Sequence, residues 1–249
     1  DDFNCPLNMG SVIKAGREVV GKSGMFITKK RYAIKCLDIE GYQPEGGKLK
    51  IMGMDIKRSD TPEFVQDFLE GILDSALEGV PENDVINTIK EFKAEFKTLE
   101  PWKKGMPKRV NNLTKYVQDI QKYQRATSRM ANGGANGKIK KPVMPGHVRA
   151  SINWNTMRDA YKDSYSLPIM DGQKVIVCKL KANPMNFTSI AYPIDELNIP
   201  KWFKELPFDH DGMEQTIIDQ KVSNLMSELG WDLESTKTST VFDNLFEAV

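Results

Sequence analysis

The sequence predicts an α+β protein in which short antiparallel strands are followed by a mainly helical body. Three observations carry that expectation. Strand-like runs are confined to the first quarter and to two later patches, Lys174–Leu180 and Ser189–Tyr192. From Thr61 the apolar spacing switches from two to about four residues. Gly- and Pro-containing turns separate the segments. At 249 residues the chain is long enough for one large domain or two.

In order, Phe26–Ile39 and Lys48–Ile56 read as two strands around the turn GYQPEGG. Thr61-Pro62-Glu63 supplies a cap, a first-turn proline and an acid, opening a helix that ends at Gly79. Phe64, Phe68 and Ile72 lie on its apolar side. After Pro81 a second helix runs to about Leu99, with Val85, Ile89, Phe92 and Phe96 on one stripe, and the two faces are expected to pack as core. The region Trp102–Lys141 is partly helical, with Leu113, Tyr116, Val117 and Ile120 sharing a face. It then passes into a Gly/Asn loop over Ala131–Gly137. Helices are also expected from His147 through Tyr161, over Pro200–Leu206 and over Gly212–Leu229.

Composition excludes several classes. No apolar run approaches the roughly 20 residues of a membrane helix, and no signal-peptide-like stretch opens the sequence. The chain begins at Asp1 without Met, which reads as a processed product or part of a longer polypeptide. The three cysteines, Cys5, Cys36 and Cys178, are scattered, which fits a reducing compartment and argues against a disulfide framework or zinc site. Asp209-His210-Asp211 lacks a fourth ligand at helical spacing and reads as a helix-entry cap.

Charge is segregated. Between Pro101 and Ala150 lie twelve basic residues and one acid, Asp119, although the whole chain carries only +1. A basic stretch on an acidic remainder is the footprint of a polyanion partner, or else a solvated loop. Tyr116 and Tyr123 stand among these cations, placed either to stack on nucleic acid or to pack in a core. The second basic element is Thr28–Gly41, TKKRYAIKCLDIEG, where Lys29, Lys30 and Arg31 run into Tyr32 at a strand start. Cations next to an aromatic can reach phosphates while the ring lies against a sugar or base edge.

Gly16–Ser23, GREVVGKS, matches the phosphate-loop pattern. Its surroundings do not: a phosphate loop needs a buried strand before it and a helix after it, and GMFITKKRYAIKC reads as strand. A nucleotide hydrolase is therefore rejected.

KKRYAIKCLDIEG followed by KLKIMGMDIKRSDTP resembles the C-terminal palm of the replicative family B DNA polymerases of T-even-like tailed phages. The resemblance continues in order through Asn111–Tyr116 (NNLTKY), Pro145–Asn155 (PGHVRASINWN), Gly172–Leu180 (GQKVIVCKL) and Asn183–Pro193 (NPMNFTSIAYP), which are similar to pieces of the family thumb. Phe242–Phe246 (FDNLF) is similar to its clamp-binding tail. The resemblance implies a palm end at residues 1–56, a thumb at 57–235 and a flexible clamp-binding tail at 236–249. It implies that Lys29, Lys30, Arg31 and Tyr32 touch the minor groove of primer–template duplex beside the polymerase site. Lys104, Lys108, Arg109, Lys115, His147 and Arg149 are the candidate thumb contacts to DNA.

Phe242, Leu245 and Phe246, at i, i+3 and i+4, would present one apolar face to a sliding clamp. The family's catalytic aspartates include a DTD motif, and no DTD occurs here. Asp38 and Asp55 belong to no paired-carboxylate motif. No catalytic or metal-binding residue is therefore assigned, and no cofactor is expected on this chain, Mg²⁺ belonging to the complete polymerase. The implied partners are primer–template duplex, an N-terminal polymerase portion with exonuclease, fingers and catalytic palm, and a sliding clamp. The implied location is the cytoplasm of an infected bacterial host. The alternative is a stand-alone DNA-binding or clamp-adaptor protein without a catalytic partner.

Overall fold

The computed structural model describes residues 19–132 and 140–231. The clamp candidates Phe242, Leu245 and Phe246, the start of the phosphate-loop match and most of the Gly/Asn loop lie outside the described residues. In chain order the elements are β1 (Val19–Thr28), β2 (Arg31–Ile39), β3 (Lys48–Met52), a 3₁₀ turn (Asp55–Lys57), α1 (Glu63–Leu77) and α2 (Glu82–Thr98). They continue with α3 (Pro101–Lys104), β4 (Met106–Arg109), α4 (Leu113–Ala131), α5 (Gly146–Ala160), β5 (Lys174–Lys179) and β6 (Ser189–Pro193). The last are α6 (Lys201–Lys204), α7 (His210–Glu214), a π turn (Gln215–Asp219) and α8 (Gln220–Leu229). The expected α+β class is the observed one: the described residues form two small antiparallel sheets and a larger share of helix.

The described residues divide into two compact units, the first comprising residues 19–56, 67–87 and 225–231, the second residues 57–66, 88–132 and 140–224. In the first, an antiparallel sheet runs β1-β2-β3. What reads in sequence as one strand over Phe26–Ile39 is a hairpin that turns at Lys29-Lys30, with Thr28 opposite Arg31 and Phe26 opposite Tyr32. Glycines hide the upstream half of this hairpin from a propensity reading. A Cβ at Gly21 would stand 2.7 Å from Ile34 Cγ2, so only glycine lets the strands approach there. Lys22 and Ser23 thus belong to a strand, and Lys22 ion-pairs with Glu78 at 2.5 Å, which leaves no strand–loop–helix for a phosphate loop. Ala33 and Cys36 are fully buried on β2. Lys35, nearly buried beside them, is held by both carboxylate oxygens of Asp74 at 2.7 Å. That hydrogen bond outweighs burial and raises its pKa, as charge-assisted pairing of a desolvated ammonium requires.

In the second unit the sheet order is β4-β5-β6, again antiparallel. β4 lies within the stretch Trp102–Lys141 that reads as partly helical, because Pro107 and two adjacent cations give no strand signal. Pro107 is tolerated because β4 is an edge strand. Gly105 precedes it where a Cβ would lie 2.6 Å from Ile176 Cγ2 and 2.7 Å from the Val177 carbonyl oxygen. Of the expected helix–helix core, this unit holds a ring cluster at the start of α1: Phe64 lies 6.1 Å from Phe92 and 6.2 Å from Phe96 between ring centroids.

The main core forms around Trp154 of α5, fully buried, with Trp202 at 5.0 Å, Phe203 at 5.3 Å and Tyr192 at 5.7 Å. Its indole N–H donates to the Leu167 carbonyl at 2.9 Å, so the polar edge is satisfied.

Asp163 ties this cluster down. It accepts from the Ser166 hydroxyl at 2.6 Å, the Trp202 indole at 2.9 Å, and the backbone N–H groups of Tyr165 and Ser166, each at 3.1 Å. Burial pushes its carboxyl up, but these four donors together hold it down to about 2. A depressed carboxylate stabilises the fold fully above its ordinary pKa of 3.8 and loses that contribution as pH falls through about 2. Asp163→Asn is expected to cost about 1–2 kcal/mol at neutral pH and to remove the part of the acid-unfolding slope between those values. Urea melts across that pH range check it, and an unchanged slope would show that Asp163 is not a titrating anchor.

The helix expected over Gly212–Leu229 is interrupted by the π turn. Asp209 caps its entry, accepting from Gly212 N–H at 3.0 Å, as the Asp209-His210-Asp211 reading expected. Lys93 bridges Glu214 at 3.1 Å and Asp219 at 2.8 Å, residues five apart. Five is the spacing a π turn brings onto one face, so the bridge and the turn are mutually consistent.

Candidate nucleic-acid interface

The first candidate surface is the β1–β2 turn. Lys29 and Lys30 are exposed at its tip. Arg31 ion-pairs with Glu228 of the same unit while its side chain stays partly exposed. Tyr32 is half-buried and stacks on Phe26, with centroids 5.8 Å apart and planes at 28°. Phe26 itself is 72% exposed, an unusual position for a large aromatic in a strand. Tyr32 also pairs with Met52, so Phe26, Tyr32 and Met52 form one row across the three strands. The turn rests on Gly53, whose φ is +68°. A Cβ there would fall 2.1 Å from the Lys30 carbonyl oxygen, so the end of β3 passes directly under the Lys29-Lys30 turn. Phe26 and Gly53 are supporting residues that the sequence reading did not single out. Only cross-strand register reveals them.

The second surface is in the other unit. Lys108 on β4 donates to Asp60 Oδ2 at 2.8 Å, and Arg58 Nε lies 3.4 Å from Asp60 Oδ1. Burial pushes the Asp60 carboxyl up, but Lys108 and Arg58 outweigh it and the net shift is downward, keeping it ionised. Arg109 and Lys174 are cross-strand partners on β4 and β5, and both are exposed. These residues line a cleft of about 640 Å³ at one end of the sheet, together with Ser59, Pro107 and Ile194. Arg58 and Lys174 were not among the sequence candidates, because only the β4–β5 pairing and the Asp60 link place them beside Lys108 and Arg109.

Burial lowers the His147 pKa, and the nearby Lys108 cation lowers it further, so the imidazole is neutral at neutral pH. Arg149, two residues along α5, is exposed. Lys115 is exposed in the first turn of α4, where Asp171 caps the helix by accepting from Thr114 N–H at 3.2 Å and the Thr114 hydroxyl at 2.8 Å. Tyr116 and Tyr123 are both half-buried on α4.

Lys104 requires correction. Its side chain is fully buried, and its ammonium donates to the carbonyls of Phe96 at 2.9 Å and Lys97 at 3.2 Å, closing the end of α2. It also lies 4.9 Å from the centroid of the Phe96 ring. A cation whose donors go to helix-terminal carbonyls is held by the helix dipole and cannot reach a phosphate outside. Burial lowers its pKa accordingly. The signal that separates Lys104 from its neighbours is tertiary, since Lys103 beside it is exposed.

Among the described residues no group of three or more His, Cys, Asp or Glu side chains is placed to hold a metal ion, and no helix is long and apolar enough to cross a membrane. Asp38 accepts from Gly41 N–H at 2.8 Å and serves the turn after β2.

No protein-family model matches the chain. Comparison with curated proteins does find relatives. Over 219 residues, 86% of the chain, it is 30% identical to the DNA-directed DNA polymerase of Enterobacteria phage T4. The chain is a relative of the phage DNA polymerases. A second relative, the DNA-directed DNA polymerase of Escherichia phage RB69, is 33% identical over 176 residues, 70% of the chain. The chain spans about a fifth of these curated relatives, 22% of the T4 polymerase and 17% of the RB69 polymerase. The family resemblance read from the ordered motifs and this similarity agree. Among the described residues of this polymerase relative, the Lys29-Lys30 turn and the cleft at Arg109 and Lys174 are exposed cationic surfaces.

Proposed function

We propose that the chain is the C-terminal part of a family B DNA polymerase: the end of the palm, the thumb and a clamp-binding tail. It grips primer–template duplex and is catalytically incomplete alone. The observation that supports this reading best is the Lys29-Lys30 turn, two exposed cations beside the stacked Tyr32–Phe26 pair, in a relative of phage DNA polymerases. Minor-groove acceptors at purine N3 and pyrimidine O2 occupy nearly the same place in every correct base pair. A donor from Lys30 or Tyr32 tests pair geometry there without reading sequence. Lys108, Arg109, Lys115 and Arg149 hold backbone phosphates, with His147 as a neutral neighbour. The catalytic aspartates and their Mg²⁺ ions come from the remainder of the polymerase, and Phe242, Leu245 and Phe246 engage the sliding clamp. The site of action is the cytoplasm of the infected bacterium.

Duplex binding by the chain is expected to show weak sequence preference and steep salt dependence. With about four to six phosphate contacts, log K falls against log salt with a slope of roughly −4 to −5. Mixing the chain with a DTD-bearing polymerase portion is expected to give primer extension that neither part gives alone. Steep duplex binding without restored extension would favour a stand-alone DNA-binding or clamp-adaptor protein. A flat salt response would remove the duplex-gripping reading altogether.

A further inference from the structure

The cleft at the end of the second sheet holds an arrangement that folding alone does not explain. Lys108 meets Asp60, while its neighbour Arg109 stands directly opposite Lys174 in the β4–β5 register. Like charges directly opposite each other destabilise an antiparallel pair. Four cations, Arg58, Lys108, Arg109 and Lys174, share the cleft with a single acid, Asp60. That acid is incompletely hydrogen-bonded: its Oδ2 accepts from Lys108, but its buried Oδ1 accepts no hydrogen bond and faces Arg58 Nε at 3.4 Å, with the Lys221 cation also acting on the carboxylate. A carboxylate between two cations, under-coordinated and next to an unrelieved Arg–Lys pair, has the charge and the oxygen count of a partial substitute for a phosphate.

We propose that this cleft is a phosphate site for a nucleic-acid backbone, and that Asp60 is the chain's own stand-in anion, which competes with the incoming phosphate for Lys108 and Arg58. The proposal rests on the duplex-gripping reading and adds Arg58, Lys174 and Asp60 to it. When a phosphate enters, it separates Arg109 from Lys174 electrostatically and takes the donors that Asp60 holds in the free chain. Asp60 therefore sets a ceiling on affinity. A polymerase that must move along its product gains from such a ceiling, because tight phosphate contacts would hold it in place.

The test is titration of the full chain with a labelled duplex and, separately, with inorganic tripolyphosphate, over a range of salt. Asp60→Asn is expected to tighten duplex binding by roughly three- to tenfold, since it removes a negative charge adjacent to the phosphate. Lys174→Gln and Arg109→Gln are each expected to weaken it by a similar factor and to flatten the salt slope by about 0.9. Both are exposed side chains, so they carry the test even if Asp60→Asn does not fold, which a thermal melt reports. Duplex binding that ignores all three substitutions would overturn the cleft proposal and leave the gripping reading standing. Tripolyphosphate binding that responds to Asp60→Asn, with no duplex binding, would keep the phosphate site and overturn the gripping reading. Absence of both would overturn both.

Discussion

Lys104→Ala is expected to be the most damaging single substitution among the candidate cations, with a cost of about 3–5 kcal/mol. The loss has separable parts. Truncation leaves a cavity where a fully buried side chain sat. It also removes the ammonium donor from the carbonyls of Phe96, at 2.9 Å, and Lys97, at 3.2 Å, leaving Phe96 only its 3.3 Å bond from the Leu99 N–H. Lys104→Met restores most of the volume but not the donors, and should recover all but about 1–2 kcal/mol. Denaturant melts of the two variants measure the parts, and a loss below about 1 kcal/mol for Ala would sink the buried-staple account. Salt titration decides the role. Lys104→Met should leave the slope of duplex binding unchanged, whereas a phosphate contact would take about 0.9 from it. The pH sign is fixed by burial. A lysine whose folded pKa is lowered contributes most above its ordinary value of 10.5 and progressively less as pH falls through the folded pKa, so wild type should gain on this variant as pH rises toward that value.

Gly53→Ala is expected to have the second-largest effect, and it acts on the Lys29-Lys30 turn from beneath. The residue has φ +68°, and its added Cβ would lie 2.1 Å from the Lys30 carbonyl oxygen and 3.0 Å from Arg31 Cγ. A backbone oxygen cannot rotate away, so the turn or the end of β3 must move. A cost of about 2–4 kcal/mol follows, of which about 1 kcal/mol is the left-handed conformation alone. Gly41 provides the control, because it also has positive φ, +89°, but open space around its Cβ position. Gly41→Ala should therefore show only the conformational part. In a reassembled polymerase, Gly53→Ala should weaken extension from matched primers, because displacing the turn displaces Lys29, Lys30 and Tyr32 together. Equal melting temperatures for the two alanine variants would show that the contact beneath Lys30 does not constrain the turn.

Local chemistry made much of this protein legible from its residues. Thr61-Pro62-Glu63 and Gly79 bracket a helix that the structure places at Glu63–Leu77, although the Thr61 hydroxyl expected to cap it makes no hydrogen bond and the helix opens from the Pro62 carbonyl instead. Asp209 caps the entry to the last helices by a rule that acts within a few residues. The α+β class and the ordered polymerase-like motifs also follow from pattern and order, which are properties of the sequence itself. Features that depend on residues far apart in the chain were not legible. The turn at Lys29-Lys30 looked like continuous strand, because Gly21 and Gly24 are poor strand formers until Ile34 and Ala33 lie against them. The strand at Met106–Arg109 was not legible within a region that reads as partly helical, because Pro107 is acceptable only on an edge that other strands define.

The same division runs through the cations. Sequence determined that positive charge concentrates between Pro101 and Ala150 and at Lys29–Arg31. Tertiary structure decided what each charge does: Lys104 closes a helix inside the core, Arg31 pairs with Glu228, Lys108 is held by Asp60, and Arg109 is set against Lys174. The physical reason is that charge is counted along the chain, whereas desolvation and Coulomb interaction depend on distance in space. Lys103 and Lys104 are adjacent in sequence, yet one is exposed and the other fully buried, because helix and strand geometry alone fixes which ammonium faces water.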